Sequence, residues 1–151
     1  MVEEGNLDLA IHHVERVLTD QLDSVDSLSN KASVALGFVL TAFGALFALS
    51  REAVHAHIVP ALLSAGLLVV SAILLSFSYL VTEYDDPPNP VELLRLVGEP
   101  PEVLKKDLLA HLAQAHTTNE GTISKRFQYL NWGILLFLIG VIVFVVGVVF
   151  A

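Results

Sequence analysis

No cysteine occurs among the 151 residues, so disulfides, thiolate metal sites and cysteine nucleophiles are excluded at once. Charge is scarce: Asp, Glu, Lys and Arg make up 16% of the chain, against roughly 25% in ordinary soluble domains. Positive charge is scarcer still, with eight Lys and Arg against sixteen Asp and Glu, for a net charge of −8. So acidic a chain is a poor partner for nucleic acid, whose phosphates need a concentrated basic surface. The same balance argues against a mainly electrostatic grip on anionic lipid. Also missing are a glycine-rich phosphate loop, a nucleophile elbow and paired catalytic carboxylates. No enzymatic reaction and no cofactor are expected. Nor is a cleavable signal peptide: Glu3 and Glu4 stand where such a peptide is basic, and the first apolar run begins only at Ala32.

Metal ligation finds little support in the spacing. His12 and His13 are adjacent and diverge on a helix, and His111 and His116 are five apart, not the four that align two ligands. His55 and His57 share a short loop with only Glu52 nearby. Asp85 and Asp86 beside Glu83 lack the spacing of a calcium loop and read as an acidic exit turn.

What the chain has in abundance is apolar sequence. Hydrophobic residues reach 54%, the mean hydropathy is +0.68, and the apolar residues fall into three blocks. The first, 32–50, is uncharged and would rise about 28 Å as a helix, close to the hydrocarbon thickness of a bilayer. Gly37, Thr41, Gly44 and Ala48 recur along it at helical spacing and form a small-residue face suited to close helix contact. The second, 58–82, is uncharged, carries Pro60 in its first turn, and repeats Ser64, Ser71 and Ser78 every seven residues. The third, 132–151, has fifteen Ile, Leu, Val or Phe among its twenty residues and repeats Gly133, Gly140 and Gly147 at the same interval. Tyr129 and Trp132 stand at its entry, where amphipathic rings favour the interface. The reading is an all-α integral membrane protein, one membrane domain over 1–151 with three transmembrane helices. The serine and glycine stripes are candidates for a packing seam or, in an oligomer, for the lining of a pore.

The polar segments also have helical patterns. Leu7, Ile11, Val14, Leu18, Leu22, Val25 and Ser29 give an amphipathic helix over 5–29. Region 83–131 opens with the rigid turn 84–90, continues through a short helix around Val91–Val97, and breaks at Gly98 and Pro100-Pro101. From Glu102 the spacing of Leu104, Leu108, Leu112, Ala115, Asn119, Ile123 and Phe127 runs into the third span. One long helix is therefore expected over 102–151, with Gly121 as its candidate bend. The two apolar stripes outside the spans either pack on each other or serve as oligomer surfaces. Arg16, Lys31, Arg95, Lys105, Lys106, Lys125 and Arg126 fall on one side of a three-span topology and only Arg51 on the other. The positive-inside rule then puts the N-terminus and 83–131 in the cytoplasm and the C-terminus outside.

Asp26-Ser27-Leu28-Ser29-Asn30-Lys31-Ala32-Ser33 carries an amphipathic helix straight into a span. This junction resembles the membrane effector family of Pycsar antiphage systems, whose members often read Asp-x-Lys-Ala here. Asn30 takes part of that pattern and Lys31-Ala32 matches it. An Asn followed by a Lys before the last span (Asn119 and Lys125) continues the likeness, and the related SLATT membrane modules share the layout. The resemblance implies an inner-membrane protein that responds to a cyclic pyrimidine mononucleotide and, as a homo-oligomer, disrupts or permeabilises the membrane. The other reading is a non-conducting scaffold that holds a partner through its cytoplasmic helices. Lys31 is a natural snorkelling anchor, and Asp26, Asn30 and Asn119 are candidates to pair with it in a switch.

Overall fold

The computed structural model describes residues 2–53, 58–80 and 100–149, with side chains at 8–48, 58–80 and 100–147. Three helices account for them: α1 (Val2–Ala53), α2 (Ile58–Tyr79) and α3 (Pro101–Val149). The turn at 84–90, the Val91–Val97 helix, His55, His57 and the acidic group 83–86 lie outside the described residues.

The amphipathic segment and first span form a single helix. Nothing between them breaks it, because the polar junction 26–33 contains neither proline nor glycine. At 52 residues, α1 is about 78 Å long, more than twice the hydrocarbon core. α3, at 49 residues, is about 74 Å long and runs unbroken through Gly121. α3 begins where Pro101 supplies a first-turn residue that needs no N–H partner. The Pro100 carbonyl accepts from Val103 N at 2.9 Å and Leu104 N at 3.2 Å. Within the first span the Thr41 hydroxyl donates to the Gly37 carbonyl at 2.9 Å, which satisfies it without water.

The chain divides into two compact units, to which α1 and α3 each contribute: 1–26 with 81–124, and 27–80 with 125–151. In the first, Leu18, Leu112 and Ala115 form a small core flanked by Ile11, Val14 and Leu108. The two amphipathic stripes thus pack on each other. The pairs Asp8–Lys105, at 2.6 Å, and Gln21–His116 show that the segments run parallel. Gln21 Nε2 lies 3.1 Å from His116 Nδ1 and donates to the His116 carbonyl at 3.2 Å, tying the helices beyond the apolar core.

The second unit holds the apolar stretches. Leu28, Ala32, Val39, Leu68, Leu75 and Leu130 are buried, whereas Phe38, Leu40, Leu62, Ile73, Leu138 and Ile142 are exposed on its outside. An apolar exterior over buried polar atoms suits lipid as solvent. All three helices are long and apolar enough to cross a membrane.

Candidate functional site

The span unit is organised by two stripes that meet residue for residue. Ser64 Oγ donates to the Gly140 carbonyl at 2.8 Å, Ser71 Oγ to Gly133 at 2.7 Å, and Ser78 Oγ to Arg126 at 3.0 Å. Each step of seven up α2 matches a step of seven down α3, so the helices are antiparallel and in register. All three serines are fully buried. At Gly133 and Gly140 glycine makes the bonds possible, because a bare backbone lets α2 approach the α3 carbonyls. A Cβ at Gly133 would stand 2.8 Å from Leu75 Cγ and Cδ2, one at Gly140 would stand 3.3 Å from Leu67 Cβ, and one at Gly147 would run into the Pro60 ring. The serines therefore form a packing seam between α2 and α3 within the chain.

At the last step of the seam the glycine stripe gives way to Arg126. This arginine is buried, 3% exposed, at the end of α2. Its Nε donates to the Ser78 carbonyl at 2.8 Å; its Nη2 donates to the Tyr79 carbonyl at 3.1 Å and to Ser29 Oγ at 3.2 Å. The terminal carbonyls of a helix lack intrahelical partners and carry its negative dipole end, so a guanidinium satisfies both needs together. The planar fork reaches α2 and α1 at once from its seat on α3, which a point-charge ammonium cannot do. Arg126 thus clasps all three helices at one end of the unit. Beside it, the Phe77 and Tyr129 rings lie 5.9 Å apart in a tilted pair.

The model of the Pycsar effector protein domain matches residues 13–151. The chain belongs to the Pycsar effector family. It is accordingly a multi-pass membrane effector of cyclic-nucleotide-signalled antiphage defence. No curated protein and no solved structure shows significant similarity to it.

In this Pycsar effector the residues picked out at the junction are distributed unevenly. Asp26, Asn30, Lys31 and Lys125 are exposed, while Ala32 and Asn119 are buried. Lys31 makes no ion pair or hydrogen bond among the described residues. The buried cation at this end is Arg126 instead. Lysine's compact charge is strongly hydrated and stays at the boundary, whereas the weakly hydrated guanidinium tolerates burial when its donors are used. Sequence reasoning counted Arg126 only as a topological charge and passed over Ser29 as a polar partner. A signal was present, because stepping back by seven from Gly147, Gly140 and Gly133 arrives at Arg126 and then at Asn119. Gln21 carried no such signal.

Proposed function

We propose that this effector acts without enzymatic chemistry, assembling with copies of itself through α1 and permeabilising the inner membrane when a cyclic pyrimidine mononucleotide is made. The observation that carries the reading is the small-residue face of α1. Gly37, Thr41, Gly44 and Ala48 are exposed, and a Cβ built at Gly37 or Gly44 would meet nothing within 4 Å. A small-residue face turned to lipid is the surface on which a second helix packs closely. Assembly is also required for conduction, since the span serines are consumed inside the subunit. In this reading the N-terminal segment and 83–131 are cytoplasmic, as the seven-to-one basic asymmetry favours.

The test uses the purified chain in liposomes loaded with a self-quenching dye. Cyclic CMP or cyclic UMP is expected to trigger dye release, and Thr41→Cys, in a chain with no other cysteine, should crosslink to its own kind. Gly37→Leu with Gly44→Leu should abolish both while leaving the subunit folded, because the added side chains enter open space. Crosslinking without release under any nucleotide would favour the scaffold. Release unaffected by the double substitution would remove the α1 face from the account.

A further inference from the structure

The whole-chain charge of −8 conceals a division between the two units. The span unit, 27–80 with 125–151, contains Lys31, Arg51, Lys125 and Arg126 against Glu52 alone. Three of those cations belong to the end where Ser29, Ser78 and Arg126 meet; the lone carboxylate belongs to the opposite end of the first span. Anionic lipid is therefore disfavoured by the other unit, not by this one.

At that same end an open groove of about 410 Å³ runs between α1 and α3. Val34, Phe38, Ile134 and Leu138 line its length, and Asn30 and Lys31 form its polar end. Arg126 is already occupied with α2 carbonyls and Ser29, but the exposed Lys31 ammonium has no partner among the described residues. A groove apolar along its length, with one unspent cation and an amide at the boundary end, has the polarity of a single phospholipid.

We propose that this groove holds one anionic phospholipid. An acyl chain lies along Val34, Phe38, Ile134 and Leu138, and the headgroup phosphate accepts hydrogen bonds from Lys31 Nζ and the Asn30 amide. The apolar length decides between phosphate sources, since a cyclic nucleotide has no hydrocarbon to fill it and a pyrimidine's polar edges would go unpaired there. Lys31 then serves as a lipid-headgroup ligand.

The experiment is native mass spectrometry of the full chain from neutral detergent, titrated with dioleoyl phosphatidylglycerol or dioleoyl phosphatidylcholine. The wild type should retain one phosphatidylglycerol in preference to phosphatidylcholine by roughly fivefold, the amount one juxtamembrane lysine contributes toward anionic lipid. Lys31→Gln should remove the preference and Lys31→Arg should restore it. Ala35→Phe, placed in the groove lining, should lower retention of both lipids. Equal binding of the two lipids by the wild type would overturn the proposal. So would a preference that survives Lys31→Gln, retention that survives Ala35→Phe, or a cyclic CMP adduct abolished by Lys31→Gln without any lipid preference.

Discussion

Replacing Gly133 with alanine adds one methyl group where the seam leaves no room. The new Cβ would lie 2.8 Å from two atoms of Leu75 and 3.4 Å from its backbone nitrogen. Leu75 is fully buried and cannot swing aside, so α2 and α3 must separate. Overpacking of this kind costs about 1–3 kcal/mol, and separation also loosens the Ser71 bond to the Gly133 carbonyl, worth about 0.6 kcal/mol in a membrane. Alanine's better helix propensity opposes these losses by up to about 1 kcal/mol. Gly66→Ala measures that gain by itself, since nothing lies within 4 Å of a Cβ there. The two variants should therefore differ by about 2–3 kcal/mol, with Gly140→Ala between them because its closest approach is 3.3 Å. Reversible unfolding in mixed micelles, followed by circular dichroism, gives the series. Equal stability of the Gly133 and Gly66 variants would refute the close-packed seam.

Arg126→Ala should destabilise the span unit by about 2–3 kcal/mol in the same assay, since charge-assisted bonds are worth about 1.5–3 kcal/mol and α2 loses the donors at its last carbonyls. Arg126→Lys should recover only part, an ammonium lacking the fork. Replacing Ser64, Ser71 and Ser78 together by alanine should cost about 2 kcal/mol, the sum of three bonds of about 0.6 kcal/mol each; no loss of unfolding free energy would mean the hydroxyls are dispensable. Leu112→Ala, in the small core with Leu18 and Ala115, should cost about 2 kcal/mol and raise hydrogen exchange over 102–118 while the span segments stay protected. Asp8→Asn should change stability by less than about 0.5 kcal/mol, because its bridge to Lys105 is exposed.

The architecture could be read from the sequence where a physical rule acts on a long window. Three uncharged stretches are long enough to span, and from Glu102 onward a helical spacing that no proline interrupts leads into the last of them as one helix. The seven-residue stripes were visible too, but a stripe gives only a face. Whether Ser64, Ser71 and Ser78 met water, lipid or another helix depended on how α2 and α3 were registered, and that is set by Leu75, Leu68 and Pro60 filling the space opposite the glycines. Arg126 was hidden for a related reason. Among Lys125, Arg126 and Lys31, three cations near a span boundary look alike in sequence; only the angular position of Arg126, on the glycine face, turns it inward. Lys31 differs from Arg126 in being exposed, where water and headgroups serve a boundary charge as well as a protein partner does.

The membrane potential of bacteria expressing this chain, with and without a co-expressed pyrimidine nucleotide cyclase, tests the central claim most directly. The account predicts depolarisation only when the cyclase is active, and none from a Gly37→Leu, Gly44→Leu chain present in the membrane at the same level. A potential unchanged by the cyclase, with the wild-type chain confirmed in the inner membrane, would contradict it.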